Sequence, residues 1–136
     1  MKADELEKVV RFAEDLGYVL IATADLQGLP HMAAAGKLEY TGGQDVAVKE
    51  WFCPGTVANL DVNKRISIVA WRPHPDSGYQ LLGTVTKILD MGILDGYAPE
   101  LERAHPLPQV EKQLIVKVDK VLSFRLAPHS DLEEGS

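Results

Sequence analysis

The apolar positions change period early in the chain. Over residues 3–16, Leu6, Val9, Val10, Ala13 and Leu16 recur at steps of three and four, the stripe of an amphipathic helix. Asp4, Glu5 and Glu7 suit the positive end of its dipole, and Gly17 is a natural stop. From there the pattern turns to strands. Tyr18-Val19-Leu20-Ile21-Ala22-Thr23-Ala24 is a dense apolar run, and Asp25-Leu26-Gln27-Gly28 carries turn chemistry. Residues 30–40 predict a second strand that closes a hairpin, and residues 41–45 predict a further turn. Residues 46–52 predict a third strand, followed by a short helix that carries Thr56 and Asn59, and residues 65–71 a fourth strand. Residues 73–78 predict a loop, because Pro73 and Pro75 cannot donate to a ladder. Residues 79–90 predict a long fifth strand in which Gly83 marks a bend or bulge. Residues 95–104 have helical spacing, stopped by His105-Pro106-Leu107-Pro108. Residues 113–126 alternate in two segments that close the sheet.

Strands joined mostly by short turns do not alternate as βαβ units would. The pattern predicts a mainly β fold: a six-stranded antiparallel barrel with an N-terminal helix and a short helix after the third strand. A chain of 136 residues makes one domain, expected over residues 1–127, with residues 128–136 a flexible acidic tail.

The net charge of −6 argues against nucleic acid and against an anionic membrane surface as partners. The single cysteine, Cys53, cannot form an intrachain disulfide. The N-terminus is too acidic for a signal peptide, and no apolar run approaches the roughly 18 residues of a membrane span. A cytoplasmic protein is expected. His31, His74, His105 and His129 are scattered without metal spacing, and no pair of carboxylates or histidines identifies a catalytic acid or base.

The chemistry concentrates in residues 49–60. There an apolar strand runs through Trp51 and Phe52 into Cys53-Pro54-Gly55-Thr56 and a helix. A helix start leaves backbone N–H groups without partners, and these favour an anion such as a phosphate. Pro54 fits the first helical position, where its missing N–H costs nothing. An ordinary helix start explains the same residues equally well.

Three segments together resemble a known family. Residues 18–24 followed by Gly28-Leu29-Pro30-His31 look like its first hairpin. Residues 56–60 followed by Asn63-Lys64-Arg65-Ile66-Ser67-Ile68 look like its NL…N-x-R-V-S segment. Tyr79-Gln80-Leu81-Leu82-Gly83-Thr84-Val85 looks like its long fifth strand. The family is the FMN-binding split β-barrel of the pyridoxamine 5′-phosphate oxidase-like superfamily, and the resemblance covers about residues 5–126. It implies a homodimer with FMN at the subunit interface, FAD or a deazaflavin being alternatives, and an oxidoreductase or electron carrier whose electron partner is a small molecule or a redox protein.

Position by position, the resemblance places the flavin ring against Ala33, Ala34, Ala35 and Gly36, with Trp51 and Phe52 lining the third strand. Gly55 and Thr56 fall at the phosphate, with Asn59 orienting or contacting the same turn, and Trp71, Arg72 and Gln80 as further contacts. The chain departs from the pyridoxal-forming oxidases in two ways. Pro54-Gly55-Thr56 stands where they carry Ser-Arg-Lys, and Ala33 stands where they carry an arginine. Lys49 or Arg72 could substitute as the cation. The C-terminal Arg and His segment that holds a pyridoxal substrate is also missing, so vitamin B6 synthesis is not expected.

Each of these residues has a plainer reading. Trp51 and Phe52 could both be core at a strand end; they point to opposite faces, so at most one meets a ring directly, and Trp51 is expected to be the exposed or interfacial one. The small residues 33–36 make either a flat shelf for a ring or tight packing under the N-terminal helix. Cys53 is either a buried small apolar residue or a thiol activated at a helix start. His31 or His74 could serve as an axial haem ligand on this fold. The alternative function is a flavin-free binding or sensor module that has lost the basic phosphate anchor.

Overall fold

The computed structural model describes residues 3–51, 53–93, 110–127 and Glu133. The elements in chain order are α1 (Ala3–Leu16), β1 (Val19–Ala24), β2 (Pro30–Ala35), β3 (Lys37–Gly42), β4 (Asp45–Lys49), α2 (Pro54–Val62), β5 (Arg65–Pro73), β6 (Asp76–Ile93) and β7 (Val110–Ser123). The strands form one sheet in the order β2-β1-β5-β6-β7-β4-β3, with every pairing antiparallel. Among the described residues no helix is long and apolar enough to cross a membrane.

The predicted mainly β architecture is observed with seven strands instead of six, because residues 30–40 divide. Gly36 turns the chain between β2 and β3, and its N–H donates to the Glu50 carbonyl at 3.1 Å. One predicted strand thus becomes the two opposite edges of the sheet. The hairpin before it is fixed by Asp25, whose Oδ1 accepts the N–H groups of Gln27 and Leu29, both at 2.9 Å. α1 ends where expected, at Gly17 with φ +93°, its N–H donating to the Ala13 carbonyl.

Alternation along the strands fills a single interior. Val19 and Ile21 of β1, Ile66, Ile68 and Ala70 of β5, and Leu114, Val116 and Val118 of β7 are buried. Leu6, Val9, Val10 and Ala13 of α1 close over them, with α1 packed on β3 and β5. α2 packs instead on β1 and β2.

The expected loop over residues 73–78 is a tight hairpin turn. β5 and β6 pair as far as Pro73↔Asp76, and the His74–Pro75 peptide between them is cis, the geometry of a type VI turn. Both prolines sit at the turn, where no ladder donor is needed. The two expected segments at the C-terminal end of the sheet are one strand, β7, whose pairing with β6 shifts at Leu82/Gly83, Val85/Lys87 and Asp90/Gly92; the first shift falls at the glycine the sequence marked. The helix expected over residues 95–104 lies outside the described residues, as does most of the expected tail; Glu133 makes an isolated antiparallel bridge with Leu122.

Asp76 fastens the end of β7 to the β5–β6 turn. Its carboxylate accepts the Trp71 indole N–H at 2.8 Å, the Leu126 N–H at 3.0 Å and the Ala127 N–H at 2.7 Å. The Trp71 bond first, and then the two backbone donors, hold its pKa below the ordinary 3.8. A depressed carboxylate contributes stability that is present above its unfolded value and lost as pH falls through the folded one. Asp76→Asn is therefore expected to remove part of the acid sensitivity below pH 3.8. Tryptophan emission, from Trp51 and Trp71 together, followed from neutral pH downward checks this, and an unchanged acid limb in the variant would place that sensitivity elsewhere.

Candidate functional site

The candidate site is a seam between the edge strand β2 and the start of α2. Cys53 is the N-cap of α2 in extended backbone, half-buried, and its side chain makes no capping bond. Pro54 takes the first helical position, as the sequence predicts. The first-turn N–H groups at exposed Gly55 and at Thr56 have no intrahelical acceptor.

His31, on β2, is what the structure brings to this turn. Its Nδ1 lies 3.4 Å from Thr56 Oγ1, and a Cβ added at Gly55 would sit 3.0 Å from its Nε2. The imidazole therefore lies over the first turn of α2, in space that only glycine leaves open. The sequence reading raised His31 only as a haem ligand. The signal that places it is the β1–β2 register, in which Thr23 pairs with His31 while Asn59 Nδ2 donates to Thr23 Oγ1 at 3.0 Å. Asn59 thus orients α2 against the hairpin.

The other expected residues divide. Along β2, Ala33 is half-buried against the core, Ala34 is exposed and Ala35 is buried, so of these three only Ala34 presents its side chain to solvent, on the face of β2 opposite His31. Exposed Gly36 follows, and a Cβ there would press on the Glu50 Cβ at 3.1 Å. Thr56 is fully buried, so its hydroxyl faces His31 and not solvent, and an anion at this turn would meet backbone N–H groups and the imidazole instead.

Trp51 corrects a further expectation: it is 2% exposed and part of the core. Glu50 takes φ +60°, which breaks the alternation of β4 and turns the indole inward. Phe52 lies outside the described residues. Trp71, Arg72 and Gln80 stand away from the seam. Trp71 is held by Asp76 and Gln80 Nε2 donates to Ser67 Oγ at 2.7 Å, while the Arg72 guanidinium lies over the Phe12 ring at 4.8 Å.

The cations proposed to replace the missing phosphate anchors are engaged elsewhere. Lys49 binds Glu39 at 2.8 Å, and that bond, with a second from Lys37, holds the Glu39 carboxyl below its ordinary 4.5. Arg72 is on Phe12. The turn itself carries the exposed Gly55 backbone and His31, and neither Lys49 nor Arg72 is directed to it.

No family model and no curated protein sequence matches the chain. Solved structures do. HupZ of Group A Streptococcus superposes with a TM-score of 0.62 at 18% identity, over 93% of this chain and 97% of that one. A protein of the pyridoxinephosphate oxidase family from Clostridium acetobutylicum, related to general stress protein 26 of B. subtilis, gives 0.62 at 19%, over 92% and 91%. An FMN-binding protein from Syntrophomonas wolfei gives 0.65 at 17%, over 91% and 89%. The fold is that of the pyridoxamine 5′-phosphate oxidase-like split barrels.

Proposed function

We propose, from a fold shared with FMN-binding split barrels, that this chain binds FMN in the β2–α2 seam as a homodimer and serves as a flavin-dependent oxidoreductase or electron carrier. The observation that carries the reading is the contact of His31 with the Gly55–Thr56 turn, which joins a shelf of small residues to a helix start within one seam. A bound flavin supplies the redox step. The chain's part is to hold and orient it: the shelf at 33–36 lets a planar ring approach the backbone, and the first-turn N–H groups of α2 with His31 take the phosphate.

The reading calls for a second copy on geometric grounds. Ala34, Leu20, Val69 and Gln80 form one cross-strand row. Three strand spacings put Gln80 about 14 Å from Ala34, too far for both to touch the same ring atoms from one chain.

Titration of the purified protein with FMN, followed by quenching of flavin fluorescence, is expected to give a Kd of about 1 μM or tighter. Riboflavin, which lacks the phosphate, is expected to bind at least roughly tenfold more weakly, the worth of one charge-assisted hydrogen bond. Equal affinities would remove the phosphate from the argument, and no quenching by either would remove the flavin.

The engagement of Lys49 and Arg72 away from the seam favours a second reading, a flavin-free binding or sensor module. A thermal-shift series with FMN, FAD, haem and pyridoxal phosphate separates the two, since a ligand bound only to the native state raises its stability. Stabilisation by haem or pyridoxal phosphate and by neither flavin selects the second reading.

A further inference from the structure

A groove of about 540 Å³ opens on the outer face of the sheet, away from the seam, with a floor of Ala22, Ala24 and Leu82. The register places Lys120, Leu82, Ser67, Ala22 and Met32 in one cross-strand row over β7, β6, β5, β1 and β2. Three strand spacings separate Lys120 from Ala22, about 14 Å. Ser67 Oγ accepts from Gln80 Nε2, so the polar group in the floor is satisfied.

The walls carry charge for a local reason. The β6–β7 pairing passes from Leu82↔Lys120 to Gly83↔Val118, which leaves Asp119 as an extra residue. Neighbouring strand residues ordinarily face opposite sides, but this bulge brings both Asp119 and Lys120 to the groove. Arg65 stands on the β5 side, its backbone N–H held by Asn63 Oδ1 at 3.1 Å. Arg65 and Lys120 are exposed, and neither makes an ion pair among the described residues.

We infer that this groove binds a small amphipathic anion: an apolar body over Ala22, Ala24 and Leu82, with a carboxylate, sulfonate or phosphate drawn to Arg65 and Lys120. The volume falls in the range of small-molecule sites, roughly 300–1,000 Å³. The charges select the sign, two unpaired cations against one carboxylate. The groove adjoins Asn63 after the C-terminus of α2, whereas the phosphate end of the seam is at its N-terminal turn, where it meets His31. The groove shares the outer face of the sheet with the row proposed to meet a second copy, so the inference rests on that copy leaving Ala22 and Leu82 open.

The probe is the aromatic sulfonate 8-anilinonaphthalene-1-sulfonate, titrated by fluorescence at low and high salt. Saturable binding at one probe per chain is expected, weakening as salt rises. Arg65→Gln and Lys120→Gln are each expected to weaken it about two- to fivefold, and Asp119→Asn to tighten it about twofold, the scale of exposed charge pairs. Ala22→Phe, which fills the floor, is expected to abolish binding with an unchanged far-UV spectrum, and saturating FMN to leave the probe in place. The charge variants alter exposed side chains, so their result does not rest on whether Ala22→Phe folds.

Non-saturable fluorescence, or affinity indifferent to both Arg65→Gln and Lys120→Gln, overturns the inference. So does a stable dimer that takes up no probe and dissociates in Ala22→Phe, which would give the groove to a second copy. Displacement of the probe by one equivalent of FMN would also overturn it, because the groove would then be the flavin site.

Discussion

Gly83→Ala is expected to lower the unfolding free energy by about 3 kcal/mol, the upper end for a single added methyl in a packed interior. Gly83 is buried in the middle of β6, and a Cβ there would lie 2.4 Å from the Lys117 carbonyl oxygen and 2.9 Å from Val116 Cγ1. The first neighbour is backbone and the second belongs to a fully buried side chain, so neither can swing aside. The two strands would have to separate where their register shifts. That shift also directs the Val118 N–H to the Gln44 carbonyl at 2.8 Å, which stitches β7 to the β3–β4 turn. Intrinsic propensity works in the opposite direction, because glycine weakens a strand interior and alanine should be mildly better. The sign of the effect is therefore diagnostic. Urea titration followed by tryptophan emission checks it, with a fall in midpoint temperature of roughly 10 °C on heating. A loss under about 1 kcal/mol would mean that the ladder accommodates the methyl by a shift of register.

Much of the fold could be read from hydrophobic spacing alone, because most strands bury one face, β4 with its buried Val46, Ala47 and Val48 being an exception. The α1 stripe and the β1–β2 hairpin follow from periods that no tertiary contact overrides. What the spacing could not show were the places where one residue changes the direction of the chain. Gly36 divides an apparently continuous strand into the two edges of the sheet, and nothing in its neighbours distinguishes a bend from an extended glycine. Glu50 does the same at the end of β4, where a positive φ turns Trp51 into the core. The site was legible as a location and less so as chemistry. The Pro54–Gly55 helix start was visible in the sequence. The arrival of His31 over Gly55 depends on long-range register, and so does the engagement of Lys49 by Glu39. A cation's sequence proximity to the turn did not predict its position in space.

The second large effect is expected at Gly55. Gly55→Val should reduce FMN affinity roughly thirtyfold, the loss of about 2 kcal/mol of charge-assisted hydrogen bonding, while riboflavin affinity stays within about twofold. The opposing term is small and of known sign. Gly55 is exposed, and glycine in a helix is less favourable than most residues by up to about 1 kcal/mol. Valine should therefore leave the folded chain no less stable, provided the His31 ring can move. It can, because the contact at 3.0 Å is to Nε2, at the far end of a half-buried side chain. A displaced imidazole and a branched side chain over the first turn of α2 would together deny an anion the N–H groups it needs. Folding and phosphate binding should thus separate in one variant: denaturant unfolding within about 1 kcal/mol of the parent, and an FMN-to-riboflavin ratio that collapses towards one. If stability falls instead and the ratio persists, His31 and Gly55 are packing partners, and the phosphate belongs elsewhere on the chain.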